Sequence, residues 1–135
     1  MSSSPNLPNM VEYPPSAPKA LMIGTDTRLL YLLNRYAHLS GLELTSSLPD
    51  SAMAVIHQIN PAYLIFTSLD TLKESYGWLA NLNDREIKII VCTAVGEEAA
   101  AREMGADDCM FHPLTYADFC TALGVNQKGE HQNPA

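Results

Sequence analysis

Gly105-Ala-Asp-Asp-Cys-Met-Phe-His-Pro-Leu-Thr-Tyr-Ala-Asp-Phe119 holds the end of one helix, a strand and the start of another helix. Gly105 follows a short helical pattern running from Glu97 to Met104. Cys109-Met-Phe111 is an apolar run of strand length. Thr115-x-x-Asp118 has the form of a capping box, in which side chain and backbone satisfy each other's orphan groups at a helix start. It opens a helix with Phe119 and Leu123 facing inward.

Upstream the same alternation repeats. Ala20-Leu-Met-Ile23 is apolar and stops at Gly24. Thr27 to Ser40 carries Leu29, Leu30, Leu33, Tyr36 and Ala37 at the helical period, and Gly41 suits a left-handed cap. Asp26 is read as the cap at the start of that helix, where a carboxylate is favoured. Leu42-Glu-Leu44 alternates briefly, as an edge strand does. Asp50 is placed as the cap of a second helix with Met53, Ile56 and His57 on one side, ended by Asn60-Pro61. Tyr63 to Phe66 is wholly apolar. Leu69, Leu72, Tyr76, Leu79 and Leu82 mark a third helix, and Ile87 to Cys92 is apolar and β-rich. Apolar strands joined by helices imply a parallel sheet covered on both faces. The expected fold is therefore α/β, a five-stranded doubly wound parallel sheet in the order 2-1-3-4-5.

Composition fits one globular domain: 135 residues, 47% hydrophobic and 17% charged. A net charge of -7 argues against a nucleic-acid surface, which needs clustered cations. No apolar run reaches the ~18 residues of a membrane span, and no basic, then hydrophobic, secretory leader opens the chain. Cys92, Cys109 and Cys120 have no metal-ligand spacing, so a reduced, cytoplasmic protein is expected. Residues 1–18 hold five of the nine prolines and are read as a disordered tail, as are residues 125–135, which leaves a domain over 19–124.

The stretch from Gly105 also resembles a known family. Gly105-Ala106-Asp107-Asp108-x-x-x-His112-Pro113-Leu114-x-x-x-Asp118-Phe119 is similar to the GADD-x-x-x-KPF-x-x-x-E-L of response-regulator receiver domains. Thr93-Ala94, Pro61-Ala-Tyr-Leu-Ile-Phe66 and Gly41-Leu-Glu-Leu44 match the same family's strand ends. The resemblance runs from about Lys19 to Leu123 and implies the flavodoxin-like receiver architecture.

What it implies about chemistry is a loss. The family's Mg²⁺-holding acid pair aligns with Gly24 and Thr25, with Asp26 just beyond. Its phosphoacceptor aspartate aligns with Thr67, and its lysine with His112. Only Thr93 matches. One displaced carboxylate and neutral hydroxyls are a poor site for a hard cation. The expectation is a degenerate pseudo-receiver, not an enzyme, with no cofactor or metal. Its role would be to bind another protein, with a homodimer left open. The family's X-Pro bond at this place implies a cis His112–Pro113 link.

The interaction face is expected on the fourth helix, fifth strand and fifth helix, with Arg102, Glu103, Cys109, Tyr116 and Cys120. Cys109 stands at the family's switch aromatic. Tyr116 and Cys120 are assigned to the outward stripe of the last helix, with Tyr116 as anchor. The acidic cluster of Glu97, Glu98, Glu103, Asp107, Asp108 and Asp118 faces one cation, Arg102. It is either a solvated surface or a selector of basic partners. His112 is read as a hydrogen-bonded structural histidine rather than a ligand or pH sensor. Cys92 and Cys109, on neighbouring strands, are either a redox pair or small buried hydrophobes, the latter preferred. Tyr76 and Trp78 are partner anchors or packing groups. The vacated pocket offers a second function, ligand or redox sensing. A third reading is a residual phosphoaccepting regulator.

Overall fold

The computed structural model describes residues 17–82 and 86–124. In chain order the elements are β1 Lys19–Ile23, α1 Thr27–Ser40, β2 Glu43–Ser47, α2 Ala52–Ile59, β3 Tyr63–Phe66, α3 Leu69–Leu79, β4 Lys88–Thr93, α4 Glu98–Glu103, β5 Asp108–Phe111 and α5 Tyr116–Leu123. Short 3-10 turns at Pro49–Ser51, Ala80–Leu82 and Val95–Glu97 adjoin α2, α3 and α4. The strands form one parallel sheet in the order β2-β1-β3-β4-β5, which is the order read from the sequence.

Side chains alternate across the sheet, so each strand feeds two cores. Ala20, Met22, Ile65, Ile90, Cys92 and Met110 meet α1 and α5 on one face. Leu21, Ile23, Leu64, Phe66, Val91 and Cys109 meet α2, α3 and α4 on the other. Strands buried on both faces are apolar along their covered length, which is why residues 20–23, 63–66 and 89–92 read as unbroken runs.

Local chemistry sets the helix ends. Asp26 Oδ1 accepts from the Leu29 amide at 3.1 Å, and Gly41 closes α1 at φ 75°. Ser68 caps α3 through the Thr71 amide, and Thr115 caps α5 through the Asp118 amide, each at 3.1 Å. A cap of this kind stabilises a helix by about 1 kcal/mol. The His112–Pro113 bond is cis, as the resemblance implied. At its far end α5 is held by Tyr63 and Lys88, which donate to the carbonyls of Leu123 and Ala122.

Several expectations are corrected. β2 runs on through Thr45-Ser46-Ser47, paired residue for residue with β1, because ladder bonds use backbone and need no apolar side chains. Asp50 caps nothing; it lies inside the 3-10 turn, which makes no side-chain cap bond. His57 is exposed. Tyr76 is 53% exposed, because Ser75 takes the inward position on α3 and donates to Thr71 O at 3.0 Å. The expected tails lie outside the described residues apart from Ala17 and Pro18, and Pro18 O accepts from the Glu43 amide.

Candidate functional site

The C-terminal ends of β1, β3, β4 and β5 converge, and the loops that leave them carry Gly24, Thr25, Asp26, Thr67, Thr93 and His112. The Gly24 amide donates to Ser47 O and the Thr67 amide to Ile23 O, so both loops are tied to the strand beside them. Gly24 has φ +143°, and a Cβ built there would lie 2.0 Å from Thr67 Oγ1, 2.7 Å from Cγ2 and 2.8 Å from Cβ. The Thr67 side chain, only 5% exposed, thus occupies the room that any side chain at position 24 would need. Its hydroxyl is 3.4 Å from Thr71 Oγ1, which is 3.0 Å from Ser68 Oγ.

Thr25 and Asp26 face solvent, with Asp26 engaged as the α1 cap. Thr93 is 1% exposed, and its Oγ1 has no hydrogen-bond partner among the described residues, the Cys109 thiol offering only a weak interaction. His112 donates its backbone amide to Thr93 O at 3.2 Å. Its exposed imidazole bonds to no described residue, which corrects the structural-histidine reading.

Beside these residues lies an open cleft of about 240 Å³, lined by Ser68, Asp70, Cys92, Thr93, Glu97 and His112 among others. Thr93 and His112 therefore share one cleft, whereas Gly24, Thr25, Asp26 and Thr67 do not line it. Ser68, Asp70 and Glu97 were not read as pocket residues; the Ser68-x-x-Thr71 cap was the available signal. Glu97 Oε1 accepts from the Ala94 amide at 3.1 Å, taking a donor that an incoming anion could have used. With two carboxylates and no lysine or arginine in its lining, the cleft is electrostatically unsuited to a phosphoryl group. Among the described residues no three His, Cys, Asp or Glu side chains are placed to hold a metal ion.

No protein-family model and no curated protein matches the sequence. Solved structures do match. The chain overlays the response regulator receiver protein from Burkholderia phymatum with a TM-score of 0.66 at 17% identity, covering 81% of this chain and 97% of that one. The chemotaxis protein CheY4 of Vibrio cholerae gives 0.67 at 11% identity, covering 80% and 97%. The N-terminal domain of the nisin resistance regulator NsrR, a lantibiotic response regulator, gives 0.65 at 21%, covering 78% and 94%.

The chain has the receiver-domain fold.

On this receiver fold the expected interaction face is largely turned inward. Tyr116, Phe119, Cys120 and Leu123 are spaced i, i+3, i+4 and i+7, one helical stripe, and that stripe packs on the sheet and α1. Cys120 is therefore buried and Tyr116 half-buried, its ring 5.4 Å from Tyr36 and stacked 6.4 Å from Phe119. Burial, with Cys120 beside it, pushes the Tyr116 phenol up. Cys109 is buried beneath α4. Exposed on this side are Arg102, Glu103 and, at 71%, Val95. Arg102 is already engaged by Glu98 at 3.0 Å, by Asp107 O at 2.9 Å and by Asp108 at 3.6 Å.

The two strand cysteines do not form a pair. Cys92 lies opposite Met110 and Cys109 opposite Val91, so their side chains emerge on opposite faces of the sheet. Burial pushes the Cys92 thiol up to about 12 and raises that of Cys109. Neither is a ready thiolate.

Proposed function

We propose that this receiver-fold chain is a pseudo-receiver that works without phosphoryl transfer, as a protein-binding module in signalling or regulation in the cytoplasm. The observation that carries the reading is the seating of Thr67 against Gly24, with a would-be Cβ at 2.0 Å. In a phosphoaccepting receiver that space belongs to an acid of the Mg²⁺-holding pair and to the acceptor aspartate. Here a hydroxyl side chain fills it, and among the described residues no lysine or arginine lines the adjoining cleft to offset charge on a transferred group.

The surface available to a partner is the outer side of α4 and its preceding turn, where Val95 and Glu103 are exposed. Cys109 supports this surface from beneath, while Tyr116 and Cys120 pack with α1 on the other face of the sheet. Because nothing titrates or accepts charge at Thr67, the surface has a single working state and needs no input to expose it. The small-molecule alternative rests on the buried Thr93 hydroxyl beside the 240 Å³ cleft. That volume lies below the ~300 Å³ at which ligand pockets usually begin.

The test is affinity capture by the immobilised chain, run with and without acetyl phosphate and Mg²⁺. The same partner should be retained equally in both, and equally by Thr67→Asp. Retention that appears only with the phosphoryl donor would contradict the reading.

A further inference from the structure

On the opposite side of the molecule from α5, the Pro49–Ser51 turn packs against α3 and leaves a groove of about 540 Å³. Its apolar surfaces are Leu48, Pro49 and Trp78, and its acidic ones are Asp50 and Glu74. Leu48, which lines the groove with Trp78, is 52% exposed. The inner part of the Trp78 ring is fixed by Phe66, with centroids 6.3 Å apart, so its remaining surface is presented on a rigid support. Glu74 and Trp78 are four apart on α3 and share a face. Neither Asp50 nor Glu74 forms an ion pair with any described residue; Lys73, the nearest cation in sequence, does not line the groove.

We infer that this groove is a second docking surface, built for an extended partner segment that carries an arginine or lysine flanked by aliphatic residues. A guanidinium or ammonium over the indole gains from the ring's electron-rich face, and the two carboxylates add charge at either side. Leu48 and Pro49 receive the aliphatic neighbour. The chain's net charge of -7 draws such a segment in and repels acidic ones. A second copy of the chain offers a cationic, apolar surface on α1, with Arg28, Tyr31, Arg35 and Leu39 exposed. Docking α1 into this groove would join two different surfaces, and the like net charges oppose it. A separate basic partner is the occupant that the charges favour.

Trp78 is the sole tryptophan, so its emission reports on the groove directly. The probe is an acetylated and amidated Leu-Arg-Leu-Arg-Leu peptide at low salt, with Leu-Glu-Leu-Glu-Leu as control. The arginine peptide should give a saturable change in Trp78 emission and the glutamate peptide none. Asp50→Asn with Glu74→Gln should weaken binding about tenfold, whereas Glu86→Gln, an exposed carboxylate that does not line the groove, should leave it unchanged. No saturable change, equal binding by the double variant, or an equal loss in Glu86→Gln would each overturn the inference. So would an emission change that follows protein concentration without peptide and disappears in Arg35→Ala, since a second copy would then hold the groove.

Discussion

At position 24 the structure leaves no space: a Cβ would approach Thr67 Oγ1 to 2.0 Å, on backbone whose φ of +143° L side chains rarely adopt. Gly24→Ala is therefore expected to lower the unfolding free energy by about 2–4 kcal/mol, from backbone strain and overpacking together. Thr67→Gly in the same chain removes the steric part, so the pair should be non-additive by about 1 kcal/mol or more in a double-mutant cycle read by urea denaturation. Additive costs would mean that the two residues do not share this space. A second residue-scale expectation concerns Cys92, whose thiol is pushed from 9.0 to about 12 chiefly by burial. The unfolded chain loses this proton first as pH rises, so it then binds fewer protons than the folded state and stability falls. The fall belongs to the window between about pH 9 and 12, with no contribution at neutral pH. Cys92→Ala should flatten that part of the stability–pH curve. An unchanged slope would show that Cys92 does not contribute to it.

At the scale of the element, α5 carries the largest revision. Tyr116→Ala is expected to destabilise the domain by about 2–3 kcal/mol, because the ring packs on Tyr36 and Phe119 rather than standing in solvent. Chemical denaturation of the variant checks this, and an unchanged midpoint would return Tyr116 to the surface. The strands were legible because a doubly covered sheet demands unbroken apolar runs, and Asp26, Gly41 and Thr115 marked helix ends through their own hydrogen-bonding chemistry. β2 was underread, since its serines and threonine pair by backbone alone. The inward side of α5 is wider than Phe119 and Leu123 alone suggest, because α1 also covers this helix. The Cys92–Cys109 relation depended on strand register, and a one-residue offset puts two side chains on opposite faces. In the candidate site, the absence of acids at Gly24 and Thr67 was plain in the sequence. That Thr67 leans onto Gly24, and that Thr93 and His112 share a separate cleft, is tertiary packing that no local pattern encodes.

For the whole molecule, the receiver fold places its loops at the carboxyl ends of the strands, where α/β sheets bind ligands. This chain keeps that arrangement and fills its centre with Thr67, and the two surfaces proposed for partners, at α4 and at the Trp78 groove, lie away from it. The claim on which the rest depends is that the pocket accepts no phosphoryl group. Intact-mass measurement of the full chain after incubation with acetyl phosphate and Mg²⁺ tests it most directly. The mass should be unchanged at every time point, and unchanged in Asp70→Asn, which removes one of the two carboxylates lining the cleft. A stoichiometric adduct of one phosphoryl group, lost in Asp70→Asn or in Thr67→Val, would contradict the account.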